Sequence, residues 1–115
     1  MILLYNGGVS SEPIACTLDS DGFRRRLEEF RDVFERGYLS RDRFPGGGRF
    51  RFRALPGLEG DLKTLAEREH ACCRFFRFDV FAKDGELWWE TRVDPEAEPV
   101  LEAFLELPDL LARRD

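Results

Sequence analysis

Twice in this 115-residue chain, a stripe of apolar residues gives way to a turn set between two alternating runs. In residues 23–56 the stripe is Phe23, Leu27, Phe30, Val33 or Phe34, and Gly37. The runs at 38–44 and 49–55 follow, joined by Pro45-Gly46-Gly47-Gly48. In residues 62–95 a helix spanning 58–73 leads into runs at 75–82 and 86–93, joined by Lys83-Asp84-Gly85. Gaps of three and four mark one face of a helix, and a period of two marks one face of a strand. Each stretch therefore reads helix, strand, turn, strand, and each closes on a proline, Pro56 or Pro95. Such a pattern restricts the chain to α+β architectures with helices on one face of an antiparallel-rich sheet.

Local signals agree with the period. Phe50, Phe52 and Ala54 alternate with Arg49, Arg51 and Arg53, as on a half-buried strand. Asp84-Gly85 is a hairpin signal. Asp19, Ser20 and Asp21 supply caps and early negative charge for the first helix. Asp94 and Pro95 open the last helix, with Val100, Leu101, Phe104 and Leu105 inward. A short apolar run at 13–18 predicts a strand ahead of the first helix. The order is then βαββαβ followed by βα, a ferredoxin-like plan with an added C-terminal strand and helix. The alternative is an open αββαββα sheet with 13–18 as loop. The expected organisation is a lead segment at 1–12, one α+β domain at 13–106 and a C-terminal extension at 107–115.

One stretch concentrates chemistry: Glu69-His70-Ala71-Cys72-Cys73-Arg74-Phe75-Phe76. Leu58, Leu62, Leu65, Glu69, Cys72 and Phe76 share the inner stripe of the second helix, so Glu69 stands where an apolar residue is expected. A buried carboxylate needs a partner. Cys72 and Cys73 follow at three and four residues, within reach of its face. In the ferredoxin-like plan the end of the first strand, near Cys16, lies beside the start of the fourth, just after Cys73. Three thiols would then converge at one end of the sheet. Cys16, Cys72 and Cys73 are the candidate metal ligands, and thiolates favour soft ions such as Zn(II), Cu(I), Hg(II) or As(III). If the protein is an enzyme, Cys72 is the candidate nucleophile and Glu69 the general acid/base. The structural alternative places Glu69 at the rim with an Arg partner and the cysteines as small core residues. His70, off the stripe, reads as a surface imidazole. The spacing lacks the paired CxxC of a structural zinc site.

The cysteines and the charge also define setting and partners. Three cysteines, two of them adjacent, are not a disulfide framework, which points to a reducing, cytoplasmic compartment. No run spans a bilayer, and the short apolar start lacks the basic lead of a signal peptide. A net charge of -5 disfavours nucleic acid as a partner. The basic residues are nearly all Arg, Gln is absent and Asn6 is the only Asn, a bias of GC-rich, heat-adapted bacteria. The face away from the helices is expected to carry Arg49, Arg51, Arg53, Phe75, Arg77, Phe81, Trp88 and Arg92. That many large apolar groups suggests a homodimer packed sheet to sheet or a ligand pocket on this face, with an RNA platform as third choice and cover by the last helix or the lead segment as the structural alternative. A small thiol-reactive ligand is the other expected partner, through the cysteines.

Cys16-Thr17-Leu18 ahead of a helix, then Glu69-x-x-Cys72-Cys73-x-Phe75-Phe76 ahead of a hairpin, resembles a group of small bacterial proteins. Some members are joined to MerR-type metal-responsive regulators. The resemblance spans roughly residues 16–105. It implies a heavy-metal or thiol-linked role, with Cys16, Glu69, Cys72 and Cys73 as the matching positions. The helix-turn-helix of the joined members has no counterpart here, so promoter binding is not implied.

Overall fold

The first stripe folds as α1 (Ser20–Gly37), which runs without a break into β1 (Tyr38–Phe44). The order continues with β2 (Gly47–Arg53), α2 (Leu58–Cys72), β3 (Arg77–Lys83), β4 (Glu86–Arg92), a 3-10 turn (Pro95–Ala97), α3 (Glu98–Leu105) and α4 (Leu107–Ala112). This computed structural model describes residues 20–112, apart from the side chains of Ser20 and Cys72. The lead segment and the strand expected at 13–18 lie outside the described residues.

The four strands form one antiparallel sheet in the order β1-β2-β4-β3. β2 and β4 pair about their midpoints, Phe50 opposite Trp89, with Gly47 opposite Arg92 and Arg53 opposite Glu86. The two hairpins thus meet through their second strands, in a local two-fold arrangement. The ferredoxin-like plan gives the place between the strands before and after α2 to residues 13–18. Here β4 occupies it, hydrogen-bonded to β2 on one side and β3 on the other. Among the described residues the order is αββαββ, then the 3-10 turn and the two helices α3 and α4.

Helices cover one face. Phe50, Phe52, Leu87 and Trp89 point into them and are buried. Phe104 of α3 sits at the centre of the core, its ring 5.7 Å from Phe30, 5.5 Å from Phe50 and 5.0 Å from Phe76. Burying each such ring contributes about 1.5–3 kcal/mol. Val100, Leu101 and Leu105 are buried as their spacing requires. The stretch expected as an extension is part of this core: α4 buries Leu107 and Leu111.

The turns differ from expectation for local reasons. The first hairpin turns on Pro45-Gly46 alone, with Gly46 at φ 77. Gly47 and Gly48 lie within β2, where neighbours leave no room for a side chain. A Cβ on Gly47 would fall 2.3 Å from the Thr91 carbonyl oxygen, and one on Gly48 2.5 Å from Leu105. Asp84 and Gly85 both take positive φ, 54 and 78, as a two-residue hairpin with the strands' own twist requires. β3 begins at Arg77, so Phe75 and Phe76 lie in the turn before it. Asp94 precedes the 3-10 turn without a side-chain cap bond; Arg77 Nη1 donates to its Oδ1 at 3.3 Å.

Candidate functional site

Leu58, Leu62, Leu65 and Glu69 of α2 all face inward, and Glu69 is 0% exposed. Its partner comes from α1: Arg26 Nη1 donates to Glu69 Oε1 at 2.6 Å, and Arg26 itself is 8% exposed. The carboxylate is therefore in the interior, not at the rim, and does have an Arg. Arg26 was not singled out from the sequence, yet its spacing identifies it. It lies three residues after Phe23 and four before Phe30, on the inner stripe of α1. Arg26 Nε also lies 3.3 Å from Glu29 Oε1, and Arg68 Nη2 is 2.9 Å from Glu29 Oε2. These contacts set the first half of α1 beside the last half of α2. Removing two charges from water costs several kcal/mol per ion, so a pair placed here needs a reason beyond packing.

One turn after Glu69 the helix opens. Cys73 caps α2 at φ -130, ψ 74 and still donates its N–H to the Glu69 carbonyl at 2.8 Å. That departure from helical dihedrals carries Cys73 into the core, where it is 0% exposed. Its carbonyl accepts from Phe76 N–H at 3.1 Å, closing the turn 73–76. Phe76 is buried, while Phe75 packs against the core edge with its ring 4.6 Å from that of Phe76. Phe75 therefore does not belong to the open sheet face. His70 is at the surface, as its position predicts, but its ring is engaged. Nδ1 lies 2.7 Å from the Phe76 carbonyl oxygen, which can only accept, so Nδ1 carries the proton and donates.

The sequence-predicted residues thus divide. Glu69 and Cys73 are both buried at the end of α2, linked by the backbone bond from Cys73 N–H to the Glu69 carbonyl, and Arg26 pairs with the Glu69 side chain. Cys72 is the last residue of α2, and its side chain lies outside the described residues, as does Cys16. Among the described residues, no group of three or more His, Cys, Asp or Glu side chains could hold a metal ion. Nor, among them, is any helix long and apolar enough to cross a membrane.

The open sheet face is a layer of cations over rings. The Arg49 guanidinium lies 4.5 Å from the Trp88 ring centre and 5.1 Å from that of Phe44. Lys83 Nζ is 4.6 Å from Trp88, and Arg92 is 5.1 Å from Phe44. Each such contact contributes about 0.5–1 kcal/mol at an exposed site. Arg49 also donates to Glu90 Oε2 through Nη2 at 2.8 Å and Nε at 3.1 Å. Burial raises the Glu90 pKa, but Arg49 and then Arg92 outweigh it, so the carboxyl titrates below its ordinary value. Trp88 Nε1 is buried on this face without a hydrogen-bond partner among the described residues. The apolar surface expected here is thus already lidded by the sheet's own basic side chains.

The chain matches no family model, no curated protein and no solved structure.

Proposed function

We propose that the protein binds a small thiophilic species, a soft metal ion or a compact thiol-reactive ligand, at the end of α2. The observation that carries this is the buried Arg26–Glu69 pair one helical turn before a buried Cys73. Ionisable groups held in an interior beside a nucleophilic side chain are a candidate functional site. Soft thiolates select Zn(II), Cu(I), Hg(II) and similar ions. With Cys73 fully covered, a compact ion suits the site better than a bulky organic substrate. The ligand set we propose is Cys73 with Cys72 and Cys16, and Glu69 as the acidic neighbour. The Cys-Thr-Leu and Glu-x-x-Cys-Cys resemblance to proteins joined to metal-responsive regulators points the same way, as does a reducing cytoplasmic setting.

The finer fold belongs to this proposal. β3 is a sheet edge among the described residues. α1 starts four residues after Cys16, at the end of the helix pair where α2 closes on Cys73. We propose that residues 13–18 add a further strand to this α+β sheet; the mid-sheet position of the ferredoxin-like plan is taken by β4.

Thermal unfolding with one equivalent of Hg(II), As(III) or Zn(II) tests the binding. At a ligand concentration 100 times Kd, Tm rises by about 10 °C. Cys73→Ser and Cys16→Ser each abolish the rise. An unchanged Tm with all three ions refutes the proposal.

We also propose a homodimer through the open sheet face. The Trp88, Phe81 and Phe44 rings of that face, with the Arg49 guanidinium between Trp88 and Phe44, are the surface a second copy would pack against. A monomer in sedimentation at high protein concentration would exclude it.

A further inference from the structure

We infer that His70 is a latch on the turn 73–76, and that this latch decides whether the Cys73 thiol can be reached. The inference deepens the thiol reading above and depends on it for its biological meaning. The turn is held at both ends. Cys73 N–H donates back to the Glu69 carbonyl at 2.8 Å, and Phe76 N–H donates to the Cys73 carbonyl at 3.1 Å. The Phe76 side chain is locked into the core, 5.0 Å from Phe104 and 5.3 Å from Phe78, ring centre to ring centre. The Phe76 carbonyl accepts from His70 Nδ1 at 2.7 Å. That bond ties the last turn of α2 directly to the residue before β3. Of these tethers, only the imidazole is on the surface, where water competes for the bond. It can therefore break while the core rings stay packed. Cys73 is 0% exposed with the turn closed, so an incoming ligand needs the turn open.

His70 is a positioning residue here, acting on Cys73 through Phe76. The test uses the full chain as wild type, His70→Ala and His70→Asn. Asparagine places its side-chain N–H close to where imidazole Nδ1 stands, so it restores the donor. The rate of alkylation by N-ethylmaleimide is read at each cysteine by mass spectrometry, at fixed pH, from zero to low urea. A lost hydrogen bond changes the open population by about fivefold. Cys73 in His70→Ala therefore reacts about fivefold faster than in wild type, and His70→Asn stays within about twofold of wild type. The accelerated rate is nearly independent of urea, because local opening exposes little surface. An unchanged Cys73 rate, including no reaction in either protein, overturns the latch. So does failure of His70→Asn to restore protection, or a urea dependence as steep as that of global unfolding. The metal titration reports separately. If His70→Ala frees Cys73 while no soft ion raises Tm, the latch stands and the binding proposal falls.

Discussion

The two helix-hairpin halves of this molecule are built alike and joined differently. In the first half, α1 ends at Gly37 and β1 begins at Tyr38, with no residue between. In the second, α2 ends at Cys72 and β3 begins at Arg77, so residues 73–76 intervene. Both halves turn through two residues, Pro45-Gly46 and Asp84-Gly85, and their second strands pair about Phe50 and Trp89. The symmetric parts make the core. The insertion that breaks the symmetry holds Cys73, and the same stretch is fastened by His70 and backed by the Arg26–Glu69 pair. The repeated unit builds the core, and the departure from it is the one extra turn at 73–76.

The largest effect that could break this contrast is at the buried pair. Glu69→Ala leaves Arg26 deep in the interior and destabilises by about 3–5 kcal/mol in urea unfolding. A cost near zero would mean that the pair is not buried as described, and the second half would lose its distinction. Next comes the way glycine is used. In the first half two glycines run on into β2. Gly47→Ala drives a methyl onto the Thr91 carbonyl, a backbone atom, and costs about 3 kcal/mol. Gly48→Ala meets the Leu105 side chain, which can yield, and costs about 1 kcal/mol. Equal costs would show that the two hairpins do not meet as closely at β2–β4 as this register demands.

The smallest effect concerns the seam between the halves on the open face. Glu90 of β4 is held below its ordinary carboxyl value of 4.5 by Arg49 of β2, with Arg92 adding to it, against the opposing effect of burial. A carboxyl with a lowered folded pKa stabilises above its unfolded value and loses that contribution as pH falls through the folded one. Arg49→Met therefore destabilises by about 1 kcal/mol at pH 7. The gap to wild type closes as the pH drops below 4.5. A gap that stays constant down to pH 3 would assign the loss to ring packing against Trp88 and Phe44, with no role for the charge pair.

Periodicity in the chain was enough to determine the helices, the hairpins, the inward face of β2 and β4, the inner stripe of α2 and the place of Glu69 on it. These follow from near-neighbour geometry, in which a side chain's direction is fixed by its own backbone. Tertiary structure alone decided three other things. β4 was inserted between β2 and β3 because strand order depends on long-range pairing that no local period records. Arg26 became the partner of Glu69, 43 residues away in sequence, because α1 and α2 pack side by side there. Cys73 was buried, and His70 bound to a carbonyl, because α2 stops one residue short of the thiol, and a helix end is set by the competition between its own hydrogen bonds and the packing of Phe76 beyond it.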